Sequence, residues 1–166
     1  MDKVVWFTQG VPRFSFITWF AIKNRLSTRD RMRSWGMIQG CMFCGEVDET
    51  RDHLFFACPY SFTVWHELAN HIIGSQLDPD WQITLERMEV LQGGTLDTIL
   101  IKMLFQTTIY HIWRERNAKR HHTSWLTSDA MCKVIDKAMR NRISSFKYRA
   151  GHKLEELMQR WFFHTG

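Results

Sequence analysis

No run of 18 apolar residues occurs in this chain, so the sequence predicts no helix that spans a membrane. Sustained alternation of apolar and polar residues is missing too, which removes the usual signature of a half-buried strand. The first residues, MDKVVWFTQGVPRF, lack the long apolar core of a secretory leader. The expected setting is therefore intracellular, nuclear or cytoplasmic, where thiols stay reduced. Cysteine is scarce: there are four, and three of them crowd into one short stretch with a histidine.

What is present suits a packed domain. The 166 residues are 45% apolar, with eight Trp and twelve Phe, enough to bury a core and too apolar for a disordered tail. The formal charge of +5 is uneven. Residues 1–83 hold 8 Lys/Arg against 9 Asp/Glu, whereas residues 84–166 hold 14 against 8. The second half is thus the better partner for phosphate, with a solvated helical surface as the plain alternative.

Helical spacing recurs along the chain. After Pro12, the apolar residues Phe14, Ile17, Trp19, Phe20 and Leu26 predict a helix, and Ser27 or Thr28 offers a cap for a short one over RDRMRSW. Phe62, Trp65, Leu68 and Ile72 form one stripe that ends at Gly74. A modest helix is expected from Trp81 to Leu91. Beyond Gly93-Gly94, TLDTILIKMLFQTTIYHIWRERNAKRHH runs without Pro or Gly, which predicts one long helix striped by Leu96, Ile99, Leu100, Met103, Tyr110 and Trp113. Thr127 or Ser128 can cap another, with Met131, Val134, Ile135, Ala138 and Met139 inward. A last short helix is expected from Leu154 to Phe163. The fold class is all-α: a helical lobe stabilised at the cysteine–histidine cluster, followed by a helical bundle lobe. The expected organisation is a Cys3His domain over 1–75, a linker and short helix over 76–94, and a basic helical region over 95–166.

The cluster reads Cys41, two residues, Cys44, eight residues, His53, four residues, Cys58. Two cysteines two residues apart can turn both sulfurs inward from one tight turn, and Gly45 can take the left-handed backbone such a turn needs. Thr50 is placed to cap a helix that carries His53 on its first turn, and Pro59 marks the end after Cys58. Three thiolates and an imidazole match the ligand preference of zinc and its tetrahedral geometry. A filled set leaves no position for water, so the predicted Zn2+ is structural and not catalytic. Three thiols pair badly as disulfides, and the strand–helix setting of a redox Cys-x-x-Cys is missing. A zinc deaminase would need His-x-Glu ahead of Pro-Cys-x-x-Cys; here the histidine follows the pair and His53-Leu54-Phe55 has no Glu. Packed thiols without metal are the alternative that spacing leaves open. Cys132, alone on a helix, reads as a small packed or exposed residue.

The segments VPRFSFITWFAIKNRLSTRDRM and CMFCGEVDETRDHLFFACPYSFTVW resemble the zinc-binding domain that follows the polymerase in plant non-LTR (LINE-type) retrotransposon reverse transcriptases. The resemblance is carried by Pro12, Trp19, Asn24-Arg25-Leu26-Ser27-Thr28, Cys41 and Cys44, Glu49-Thr50, His53-Leu54-Phe55, Cys58-Pro59 and Trp65, over about residues 5–66. IWRERNAKR, residues 112–120, is similar to what often follows. Where the family commonly has a Lys soon after the Pro, this chain has Arg13-Phe14. No Ala-Asp-Asp polymerase motif and no endonuclease or RNase H carboxylate set occurs, and Glu155-Glu156 are expected to face solvent. The expectation is a stand-alone fragment of such an element, with no catalytic residues and no enzymatic activity.

The resemblance implies a nucleic-acid context. The candidate phosphate contacts are Arg25 and Arg29; Arg114, Arg116, Lys119 and Arg120, with His121 and His122 beside them; and Lys137, Arg140, Arg142, Lys147 and Arg149, a run with no acid before Lys153. Lys23, Arg31 and Arg33 flank the first group. Phe43, Tyr60 and Tyr148 are candidates for base stacking. The expected partner is RNA or single-stranded DNA, with a reverse transcriptase core as a further partner. The alternative is a protein-interaction or scaffold lobe that packs on a polymerase.

Overall fold

The computed structural model describes residues 2–36, 40–74, 77–91, 93–119, 121 and 125–166. Among the described residues the chain is helix and loop, with no strand. The helices are α1 (Asp2–Val5), α2 (Pro12–Ile22), α3 (Arg29–Arg33), α4 (Pro59–Ile73), α5 (Trp81–Val90), α6 (Leu96–Lys119), α7 (Ser128–Ser144) and α8 (Leu157–Thr165), with a π-helical turn over His53–Ala57 before α4. The all-α expectation holds. None of these helices is long and apolar enough to cross a membrane.

α6 organises the molecule. Its 24 residues span about 36 Å at about 1.5 Å per residue. The sequence predicted a stripe; instead every residue from Thr98 to Ile109 is buried. Neighbours surround the helix even though Thr98, Lys102, Gln106, Thr107 and Thr108 lie in that stretch. α2, α4, α7 and α8 all pack on it. Two of its buried polar residues are satisfied: Thr107 Oγ1 donates to Met103 O at 2.7 Å, and Gln106 donates to the carbonyls of Val4 and Val5 at 2.9 and 2.7 Å and accepts from Ser15 Oγ at 3.2 Å.

α2 meets α6 through small residues. Ser15, Thr18, Ala21 and Ile22 are its buried face, while Phe16 and Phe20 point outward. Of the expected stripe, Phe14 stacks on Tyr110 of α6 at 4.3 Å, Ile17 and Trp19 pack against the core and Leu26 is buried, while Phe20 is the exposed exception. The helix ends at Ile22 and not at Leu26. Asn24 takes φ 50°, Asn24 N–H donates to Ala21 O, and Arg25 N–H donates to Phe20 O. That is a Schellman stop with Asn in place of Gly.

The core crosses the expected lobe boundary. Leu54, Phe55, Phe56 and Trp65 from the cysteine-rich region, Trp81 from α5 and Phe105 from α6 are buried in one cluster. Phe56 lies 5.5–6.0 Å from Trp65, Trp81 and Phe105, centroid to centroid. Segments 1–75 and 95–166 therefore share a single apolar interior. α8 closes the far end: Arg160 and His164 both bind Asp97 at the start of α6, and the Arg160 guanidinium holds that carboxyl down at about 2. Glu155 and Glu156 are exposed, as expected.

Candidate metal centre

The chain assembles the four predicted ligands from two local devices. The first is the turn at Cys41–Glu46, where Cys41 N–H donates to Glu46 O at 2.6 Å and Gly45 N–H donates to Cys41 O at 2.9 Å. Gly45 adopts φ 83°, the left-handed conformation expected there. Gly40 is held for another reason: a Cβ would meet the carbonyl oxygens of Gly45 and Glu46 at 2.7 Å. The second device is the π-turn. Thr50 Oγ1 accepts from His53 N–H at 3.1 Å, the cap expected from sequence. Cys58 N–H then donates to His53 O at 2.7 Å, five residues back. This wide turn draws His53 and Cys58 together and sends Leu54, Phe55 and Phe56 into the core.

The ligand atoms of Cys41, Cys44, His53 and Cys58 all lie within 4.8 Å of one another. Cys41 Sγ and Cys58 Sγ are 3.8 Å apart, and Cys44 Sγ and His53 Nε2 are 3.2 Å apart. A zinc tetrahedron with Zn–S about 2.3 Å and Zn–N about 2.0–2.1 Å has edges of about 3.5–3.8 Å, so the set needs only a small adjustment. Cys41, His53 and Cys58 are buried and Cys44 faces outward.

Backbone amides converge on the three sulfurs. Backbone N–H groups of Cys44 and Phe43 point at Cys41, that of Glu46 at Cys44, and those of Ser61 and Tyr60 at Cys58. The contact between the Cys41 and Cys58 sulfurs, joined by those amides, lowers the pKa of the Cys41 thiol despite its burial; the same contact and burial raise Cys58, and burial raises Cys44. His53 presents Nε2 to the sulfurs while Nδ1 faces Glu46 Oε2 at 3.5 Å. A carboxylate behind a ligating imidazole orients the ring and raises its basicity. The donor set, the amides and the carboxylate fit zinc, and the four residues form a structural Cys3His zinc site. Once filled by protein, it offers zinc no open position for chemistry.

Helix α6 reaches over to this site. Arg116 is fully buried, with Nε and Nη2 at 2.9 and 2.6 Å from Glu49 Oε1, and Glu49 is fully buried as well. Lys119 donates from Nζ to Met42 O, inside the Cys41–Cys44 turn, and lies 3.4 Å from the centroid of Trp125. Two conspicuous sequence motifs, Glu49-Thr50 and IWRERN, thus meet in one buried ion pair.

Other predicted contacts are dispersed. Arg25, Arg114, Lys137, Arg140, Lys147 and Arg149 are exposed, and Arg140 is paired with Asp136. Arg29 is buried and reaches Met42 Sδ. Arg142 donates to the carbonyls of Gln9 and Gly10 at 2.9 and 2.7 Å. Arg29, Arg116, Lys119 and Arg142 are therefore engaged within the fold, a correction to their expected place on the surface. Arg120 and His122 lie outside the described residues. Phe43 and Tyr60, both half-buried, stack on each other at 4.3 Å, and Tyr60 donates to Leu126 O, so each has one ring face taken within the fold. Nothing in the local pattern marks Glu46 as the partner of His53. Trp35, the most exposed tryptophan at 77%, is equally unmarked; it lies in the turn beyond α3, where the sequence predicts a further helical residue.

Fold and site define an all-helical domain organised around structural zinc. Residues 1–65 match the family described as zinc-binding in reverse transcriptase; this segment is a reverse transcriptase zinc-binding domain. No curated protein and no solved structure matches the chain.

Proposed function

We propose that the chain is a retrotransposon-derived zinc module that binds RNA or single-stranded DNA beside a reverse transcriptase, with no catalytic activity of its own. The observation that carries the reading is a set of free cations. Lys133 and Lys137, one turn apart on α7, and Lys147 and Arg149, in the loop after it, are all exposed. Among the described residues, none of the four makes an ion pair. Unpaired surface cations in sequence contact phosphates without base preference.

The test is single-strand binding across a salt titration. Affinity for labelled RNA and DNA is expected to fall steeply between about 50 and about 200 mM salt. Replacing Lys147 and Arg149 by Ala lowers the log–log slope by roughly 1.4, about 0.7 for each lost single-strand contact. Absence of binding at low salt, together with tight, salt-insensitive binding to a polymerase core, favours the second reading.

That second reading is a lobe that packs on a polymerase. It draws on Trp6, Phe16 and Phe20, which are 47%, 54% and 36% exposed, with Trp6 and Phe16 in edge contact at 5.4 Å. Trp161, by contrast, is fully buried and offers no patch.

A further inference from the structure

At the end of the molecule away from the cysteine cluster's turn, a cavity of about 450 Å³ opens between the chain after α1, the Gly93-Gly94 turn, the first turns of α6 and the loop before α8. None of its lining residues is acidic. Lys102, on the second turn of α6, lines it while only 9% exposed. Among the described residues, its ammonium has no hydrogen bond and no ion pair.

The Lys102 stem is buried while its ammonium reaches the cavity, and a cation held at such a half-desolvated wall favours a counter-charge. Here the lining supplies none, and further positive groups gather. Lys153 lies across Gly94, where an added Cβ would meet its Nζ at 3.3 Å. Burial and the nearby Lys3 both push the Lys102 ammonium down from its ordinary range. The start of α6 adds the positive end of a 24-residue helix. Neutral donors complete the wall. Tyr148 Oη accepts from Gln9 Nε2 at 3.1 Å, which leaves the phenol proton to donate. His152 uses Nδ1 to accept from Leu154 N–H at 3.1 Å, which leaves Nε2 for a ligand.

We propose that this cavity is a phosphate-binding pocket that takes the phosphate-bearing end of a nucleotide. The ligand completes Lys102 as a counter-charge, with Lys153 and the helix terminus as further partners. Its volume admits one nucleotide and no duplex. The source is either a free nucleotide or the 5′ terminus of a strand, and both present the same dianionic group. Lys147 and Arg149, exposed on the loop that carries Tyr148 and His152, provide an approach for a strand. For a strand terminus the inference rests on the nucleic-acid reading above; the pocket itself stands on its own residues.

The test compares adenosine 5′-monophosphate with adenosine by calorimetry on the full chain, then repeats both on Lys102→Met. Met keeps the length of the side chain and its buried stem and removes only the unpaired charge, so folding is preserved; thermal melting and zinc content verify this. The monophosphate is expected to bind at least about tenfold tighter than adenosine, a difference that Lys102→Met abolishes. A 5′-phosphorylated single-stranded oligonucleotide that displaces the monophosphate, where its 5′-hydroxyl form does not, assigns the pocket to strand ends. Monophosphate binding that neither oligonucleotide displaces assigns it to free nucleotides. Equal affinity for monophosphate and adenosine, or a preference that survives Lys102→Met, overturns the pocket. In either of those cases the salt-dependent strand binding carried by Lys147 and Arg149 is unaffected, so the two readings fail separately.

Discussion

Glu49 and Arg116 are 67 positions apart and fully buried together. A buried pair need not stabilise a fold relative to an apolar replacement, yet removing one partner strands the other charge. Arg116→Met is therefore expected to cost about 3–5 kcal/mol in urea denaturation of the zinc-loaded protein. Adding Glu49→Leu should recover most of that loss. A single substitution that costs under about 1 kcal/mol would show the pair to be incidental. The same residue explains a limit of sequence reading. Arg116 stands among Arg114, Lys119 and Arg120, and nothing local separates a surface arginine from one that crosses to a distant carboxylate. The four zinc ligands were legible because they are near one another in the chain and their chemistry is restrictive.

Among the elements, the π-turn and α6 departed most from their sequence signatures. Leu54, Phe55 and Phe56 are consecutive and all buried, which neither a 3.6-residue nor a 2-residue period anticipates. The i→i+5 bond between His53 and Cys58 provides the extra width. α6 was legible as a long helix from its lack of Pro and Gly, but its envelopment was not, because burial of Thr98, Gln106, Thr107 and Thr108 depends on partners elsewhere. His111 on this helix is buried among Phe14 and Tyr110. Burial, with Arg114 adding repulsion, pushes its imidazole down to about 4. In the unfolded chain it takes a proton near about 6.5. The neutral ring thus contributes its full stability above that value, and protonation of the unfolded state withdraws it as pH falls toward about 4. At about 1.4 kcal/mol per unit, the full loss is roughly 3 kcal/mol. His111→Phe should melt with a smaller drop between about pH 7 and about pH 5 than the parent chain. An identical drop in both would show that His111 is not the group responsible.

At the scale of the whole molecule, the sequence supported two lobes, whereas one core runs through Trp65, Trp81, Phe105 and Trp161. The reason lies in the faces of α6, which receive α2 and α4 from one half and α7 and α8 from the other. Zinc consequently acts on more than a local loop. Its ligands bracket the Leu54–Phe56 segment that plugs the core, and Glu49 and Met42 beside them receive Arg116 and Lys119 from α6. Structural zinc in small finger peptides contributes on the order of 10–16 kcal/mol of apparent binding free energy, enough to hold such a segment in place. The free cations of α7 and its following loop are the surface that this scaffold presents. The most direct measurement of the central claim is metal content by elemental analysis of the purified chain beside Cys44→Ser, which alters the one outward-facing ligand. The account predicts about one zinc per parent chain and near none in the variant; a parent chain with a ratio near zero would contradict it.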